Sequence, residues 1–419
     1  MRRLVVLLPM ACLVSLAWPL LSPRPDSKAL EGLTVGEPWR HANLSIFPVL
    51  SDAPRTADRF ITLDEGLAAG TVDVFEVGSD GQPVANLVGE QGLTLENGPD
   101  APEAQVAANV EPFDGGSAAQ VNRLMVVNRS GKPLYLMPGE VIVGGRQDRT
   151  IAEEMILAST GKPTPIDVFC VEHGRWSGRD EGEAAEILAA VAEPRNGASA
   201  SEYETTLSLV VRQANSGKFV ASAGVLSKAS RLATQASRDQ VEVWDAVAQS
   251  NAAAGVSPDS GAFTANYVDP RNRQRLEAYL EQLQGRAAGE PNVVGVVVAI
   301  NGKVEAVDVF ESTPLFRKLW PKLLKSSALD ASVAADASRP DRRASTAAAA
   351  DFLAKALTAE VKEQSHGQGG LVVQQRAAAG VVSVSAGEHV ASPSPAGRPA
   401  DAAAAAGDGG AVHTSALAH

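Results

Sequence analysis

From Leu44 onward the chain alternates short apolar runs with turn clusters. Leu44–Leu50, Thr71–Val77, Leu124–Val127 and Leu134–Met137 read as strands, punctuated by Gly78-Ser79-Asp80-Gly81 and Asn128-Arg129-Ser130-Gly131. Arg149–Ala158 and Ile166–Glu172 flank Ser159-Thr160-Gly161-Lys162-Pro163 and predict a hairpin. With its turn centred between Thr160 and Gly161, Arg149 stands opposite Glu172, and opposite charges at facing positions favour that register. Period-two geometry then sets Cys170 and Glu172 on one face of their strand, and Gln147 and Arg149 on one face of theirs. A second hairpin is predicted where Val293–Ile300 and Lys303–Phe310 flank Asn301-Gly302, a pair that tolerates the positive φ angles of a type I′ turn.

Helical patterns fill the middle. Glu181–Val191 is rich in Ala and Glu, Val241–Ala254 follows the N-cap candidate Asp239, and Arg273–Leu283 is amphipathic. Thr313-Pro314 starts a helix through Leu315, Leu319 and Leu323. Glu96–Gly116, rich in Pro, Gly, Asp and Ala, predicts a loop. Beyond Ala328 the composition shifts to Ala, Ser and Asp, with a surface helix expected over Thr346–Val361 and one or two strands over Leu371–Val384. Ala391–Gly410 carries the Pro/Ala/Gly bias of a disordered tail. The pattern predicts an α+β protein with mixed or mostly antiparallel sheets and several packed helices. It divides the chain into a signal peptide (1–29), a linker (30–40), one α+β domain (41–330) and an Ala-rich extension (331–419) with a short helix and strands.

The signal peptide is read from Arg2-Arg3, the uncharged run Leu4–Leu21, and the small residues of Ser27-Lys28-Ala29. Export to the periplasm or the extracellular space follows. An uncleaved membrane anchor is the alternative, although Pro9 and Pro19 weaken that run as a spanning helix; acylation of Cys12 is a third. Only Cys12 and Cys170 occur in the chain. Signal removal therefore leaves Cys170 alone, either buried, reactive or paired with another chain.

Among 419 residues, 45% are hydrophobic and 21% charged, a globular balance, while 5% aromatics leave the core to Val, Leu, Ile and Ala. A net charge of −12 with no Lys/Arg-rich stretch argues against nucleic acid as a partner. The six histidines are scattered without ligand spacing, so no metal site is predicted. Nor is there a Gly-x-Ser-x-Gly elbow, a P-loop or a dinucleotide-binding glycine fingerprint, and no cofactor is implied.

Candidate chemistry concentrates between Gly139 and Arg179, in GEVIVGGRQDRTIAEEM and the later IDVFCVEHGRWSGR. Gly144-Gly145 suggests a bulge or a close backbone approach. Gln147, Arg149, His173, Arg175 and Trp176 suit an anionic, planar ligand: Arg offers a two-donor fork and Trp a stacking face. Asp308, in the apolar run Ala306–Phe310, is either exposed at a sheet end or paired inside, with one of these arginines as a candidate partner. Glu172 as general base or Cys170 as nucleophile would give an enzyme instead. Each residue also has a structural account. Arg149 and Glu172 can be a plain cross-strand pair, Trp176 a core or lid residue, and Cys170 an inert buried thiol.

The runs PGEVIVGGRQDR, CVEHGRW and VVGVVVAINGKVEAVDVF…LFRKLWPKLL together resemble the bacterial ARG and rhodanese-phosphatase-superfamily-associated protein domain family. The resemblance covers about residues 40–330 and a strand near Val412-His413-Thr414-Ser415. Gly139, Glu140, Gly144, Gln147, Arg149, Cys170, Glu172, Gly174, Arg175 and Trp176 match its motifs, whereas Asp148 stands where a more neutral residue is expected. Association with ADP-ribosylglycohydrolase and rhodanese–phosphatase domains implies a link to ADP-ribose or NAD metabolism. The reading at this level is an exported binding or accessory protein for an anionic small molecule, with a hydrolase-type enzyme or a purely structural envelope protein as alternatives.

Overall fold

A six-stranded closed barrel and a nine-stranded antiparallel sheet carry the chain in the computed structural model. It describes residues 32–77, 122–175, 182, 185–187, 218–335, 342–366, 371–378, 381–388 and 411–418. The signal-like N-terminus, Glu96–Gly116, most of Glu181–Val191, Trp176 and the stretch Ala391–Gly410 lie outside these residues.

The barrel takes β5 (Val72–Glu76), β6 (Arg123–Asn128), β8 (Glu140–Gly144), β9 (Arg149–Ile151), β11 (Thr164–Cys170) and β12 (Lys218–Val225), in the order β11-β6-β5-β12-β8-β9. Its apolar filling includes Val74, Val126, Ile142, Ile151, Ile166, Val168 and Phe219, consistent with the alternation expected along barrel strands. β4 (Ile61–Thr62), β7 (Leu134–Leu136) and β10 (Met155–Leu157) form a small sheet whose Leu134, Leu136 and Leu157 join the same cluster.

The large sheet is built around β3 (Leu44–Ser51), β13 (Val293–Ile300) and β14 (Lys303–Phe310). The Asn301-Gly302 hairpin is present as the sequence predicts, with φ of 51° and 79°. β1 (Leu33–Val35) and β2 (Trp39–His41) both pair with β3. On the other side β14 is followed by β18 (Ala411–Ala418), β17 (Val381–Glu388), β16 (Leu371–Ala378) and β15 (Glu360–His366). Much of the segment read as an Ala-rich extension is thus sheet. Its helix, Thr346–Thr358, packs Phe352, Leu353 and Leu357 into the cluster holding Phe47, Val49, Val297 and Val307.

The opposite face belongs to a larger core in which the helix Thr313–Val333 supplies Leu315, Phe316, Leu319, Trp320, Leu323 and Leu324. Ser312, rather than Thr313, caps this helix, its hydroxyl accepting from the Leu315 amide. Asp239 caps the helix Gln240–Ala254, accepting from the Val241 and Glu242 amides. The amphipathic stretch near Arg273 is the helix Pro270–Leu283, begun by Asp269 and Pro270. Among the described residues no helix is long and apolar enough to cross a membrane.

The first hairpin departs from its predicted form. Met155–Leu157 leaves the barrel to pair with β7, and β9 alone meets β11. Arg149 stands opposite Cys170, not Glu172. Barrel closure sets this register rather than a tight turn at Thr160-Gly161. The shift is by two positions, so faces are preserved and Arg149 and Cys170 share one.

Candidate functional site

The ends of the barrel strands converge where the loop Gly145–Asp148 joins β8 to β9. Gly144 lies opposite Phe219, and a Cβ on it would sit 2.3 Å from the Lys218 carbonyl oxygen. Only a residue without a side chain fits that approach, as the Gly144-Gly145 pair suggested. Glu76, at the end of β5, accepts from the Arg146 amide at 2.7 Å and holds the loop from the other side.

Glu172 and Arg175 lock this lip. Arg175 Nε and Nη2 donate to Glu172 Oε1 and Oε2 at 2.9 and 2.8 Å, and Nη1 donates to the Gly145 carbonyl at 2.8 Å. The free lone pairs of Glu172 are also engaged, since Oε2 accepts from the Asp148 amide at 2.9 Å. Asp148 accepts from Thr264 Oγ1 at 3.0 Å and lies 3.8 Å from Arg175. Two buried carboxylates therefore turn toward Arg175, whose fork matches one of them on both oxygens.

Arg149 is placed differently. It is 3% exposed, and its Nη1 donates to Gln147 Oε1 at 3.0 Å and the Asp148 carbonyl at 3.4 Å. Its buried Nε has no hydrogen-bond partner, and Nη2 donates to none of the described residues. No carboxylate among them lies within 4.0 Å of the guanidinium. A guanidinium taken out of water costs several kcal/mol unless paired and hydrogen-bonded. Arg149 has one edge, Nε with Nη2, on which neither condition is met.

The remaining predicted site residues divide. Gln147 is buried against Arg149, and its amide nitrogen reaches the His173 carbonyl at 3.5 Å. His173 is exposed, with its ring edge-on to Trp244 at 4.4 Å. Burial pushes the Cys170 thiol pKa up, outweighing the opposing pull of Arg149, and Glu76 and Glu172 add to the rise. The thiol form therefore prevails at neutral pH, whereas a nucleophile is the thiolate. Glu172, the candidate base, is held by two donors of Arg175 and one amide.

Asp308 is paired inside, but not with the motif arginines. Arg231 grips it with Nη1 and Nη2 at 3.1 and 2.6 Å, and His413 Nε2 lies 3.3 Å from it. His413 Nδ1 lies 3.0 Å from Glu154, which accepts from the Tyr135 hydroxyl at 2.9 Å. Phe310 stacks on the imidazole at 4.3 Å. Burial alone would lower the His413 pKa, yet the flanking Glu154 and Asp308 carboxylates push it up to about 9. The imidazolium thus donates from both nitrogens. Asp308 stays below its ordinary range despite burial, held there by Arg231 and His413.

Sequence reasoning missed Arg231, His413, Glu154 and Tyr135. Glu154 carried a signal as a charge in the strand-like run Arg149–Ala158, and His413 as part of the strand that the family resemblance covers; their meeting depends on the pairing of β18 with β14. Lys228, Arg231, Glu305, Asp308, Ser326 and Asp330 border a cleft of about 20 Å³, room for one or two waters. Among the described residues no group of three or more His, Cys, Asp or Glu could hold a metal ion.

No curated protein and no solved structure matches the chain. A family model does, over residues 32–417, which include all but the last residue of β18 and the helix Thr346–Thr358 as well as the barrel. The chain belongs to the family of the ARG and rhodanese-phosphatase-superfamily-associated protein domain.

Proposed function

We propose that this protein is an exported binding or accessory module that takes the anionic group of a small molecule on Arg149. One observation carries the reading: a guanidinium 97% buried, with one edge unsatisfied and no carboxylate in contact among the described residues, although Asp148 and Glu172 lie close by and both turn to Arg175. Buried charges that serve the fold alone are paired, as Arg175 and Arg231 are. Gln147 orients the guanidinium, and the Glu172–Arg175 pair holds the loop that presents it. ADP-ribose and NAD are the first compounds to try, because the family's name ties it to ADP-ribosylglycohydrolase partners. Export rests on the Arg2-Arg3 and Leu4–Leu21 pattern, with an N-terminal anchor as the other way of leaving the cytoplasm.

Thermal shift of the full chain with ADP-ribose, NAD and phosphosugars tests the binding reading, run beside Arg149→Met. A ligand at a hundred times its Kd adds about 2.7 kcal/mol to stability. Stabilisation of the parent that vanishes in the variant is expected; equal shifts in both proteins, or none in either, would remove Arg149 as a binding group. A second reading, in which the motif only locks the fold, is favoured by the closed Glu172–Arg175 pair. Under it Arg149→Met loses stability and no anion discriminates the two proteins.

A further inference from the structure

We propose that the cleft between the helix Thr313–Val333 and the short helix Lys228–Leu232 binds the primary ammonium group of a small amine, with Ser326, Ser327 and Asp330 receiving its N–H donors. The inference is independent of Arg149, and its failure would leave the anion reading untouched.

The acceptors come from one face of one helix. Ser326 and Ser327 precede Asp330 by the helical neighbour spacings, and all three line the cleft. Both hydroxyls have already given their proton: Ser326 Oγ donates to the Leu226 carbonyl at 2.7 Å, and Ser327 Oγ to the Leu323 carbonyl at 2.8 Å. Each can therefore offer a ligand only a lone pair. Asp330 Oδ2 accepts from the Lys228 amide at 2.9 Å, and Oδ1 accepts from none of the described residues. A wall of acceptors without a spare donor suits an ammonium group, which has three donors and accepts nothing.

The charges point the same way. Lys228 and Arg231 form the facing wall, and each already has a carboxylate. Arg231 forks Asp308 with both terminal nitrogens, leaving only its buried Nε without a hydrogen-bond partner. Lys228 is paired with Glu305, which also meets Lys303 at 3.5 Å. Glu305 is the extra residue of a β-bulge, since Val298 pairs with Ala306 and Ala299 with Val304, and it lines the cleft. Of the three carboxylates there, Asp330 alone makes no ion pair among the described residues. Burial pushes its pKa up to about 6 against the pull of Lys228 and Arg231, with Glu305 adding to the rise. A cation is the partner that relieves such a carboxylate. The size agrees too: room for one or two waters holds one ammonium group, and Val298, Ile300 and Leu417 lie alongside for the first methylenes.

The test is a calorimetric titration of the full chain at neutral pH and constant ionic strength. Methylammonium and ethylammonium are compared with potassium and with tetramethylammonium, which has no N–H. The expected result is binding of the two primary amines and at least tenfold weaker binding of the other cations. Asp330→Asn keeps an acceptor for the Lys228 amide and loses the charge; it is expected to bind methylammonium at least tenfold more weakly. Ser327→Ala keeps the charge and removes one acceptor, is expected to weaken binding severalfold, and serves should the Asn variant fail to fold. Lys228, Arg231, Glu305 and Asp308 are the charged groups facing Asp330 across the cleft. As the Asp330 carboxyl ionises, affinity in the parent should rise about tenfold between pH 5 and pH 7, and Asp330→Asn should show no such rise. Potassium or tetramethylammonium matching methylammonium would overturn the proposal. So would the absence of any amine binding, a flat pH profile in the parent, or equal binding by the parent and both variants.

Discussion

Glu172 and Arg175 meet within three residues of one another through two parallel hydrogen bonds of 2.9 and 2.8 Å, both side chains buried. A pair so enclosed is costly to halve. Removing the cation leaves a carboxylate in a desolvated site and releases the Gly145 carbonyl. Arg175→Met is therefore expected to lose about 3–5 kcal/mol of unfolding free energy. Glu172→Gln combined with Arg175→Met should recover part of that loss. Urea titration of the parent, Arg175→Met, Glu172→Gln and the double variant reads the coupling directly, and a double variant as unstable as the sum of its parts would mean that the two side chains are independent.

Gly144 gives the next prediction. Its φ of 141° and the 2.3 Å that a Cβ would have to the Lys218 carbonyl oxygen leave no room for a methyl group, because the obstacle is backbone. Strain and overpacking together put Gly144→Ala at about 3 kcal/mol or more of destabilisation. Gly70→Ala is the control, with a φ of 64° and open space around its Cβ, so it measures the conformational cost alone. A denaturation midpoint for Gly144→Ala no lower than that of Gly70→Ala would contradict the close approach.

The pH dependence follows from His413. Its folded-state pKa is raised from 6.5 to about 9, so the imidazolium contributes stability that is fully present below pH 6.5 and is lost as pH rises through 9. The groups facing it are Glu154 and Asp308 in contact, Tyr135 beyond Glu154, and Arg231 beyond Asp308. The loss is on the order of 3 kcal/mol. Denaturant unfolding between pH 6 and 10 should show that decline in the parent, and His413→Gln should flatten it. An unchanged slope in the variant would assign the decline to other groups.

Much of the fold was legible because it is written locally. The Asn301-Gly302 turn needs two positive φ angles, the cap Asp239 needs one side-chain oxygen, and both sit beside the elements they define. The glycines at 144 and 145 announced a close contact for the same reason. The register of Arg149 was not legible, since a barrel closing through β8, β9 and β11 fixes it, not the turn at Thr160-Gly161. As for the candidate site, composition named Gln147, Arg149, Glu172 and Arg175, but charge alone could not show that Arg175 serves Glu172 while Arg149 keeps an open edge. The His413 cluster lay beyond reach because its members come from residues 135, 154, 231, 308 and 413, brought together only by tertiary structure.

β18 pairs with β14 through Ala306–Phe310 and with β17 through Val381–Gly387, so the large sheet has a gap until Ala411–Ala418 is in place. A ribosome delivers those eight residues after the other described strands of the sheet. Until then β14 and β17 each present a bare backbone edge, and Asp308 faces Arg231 without its imidazolium. Chains stalled or cleaved before Ala411 would carry two sticky edges, one on each side of the missing strand.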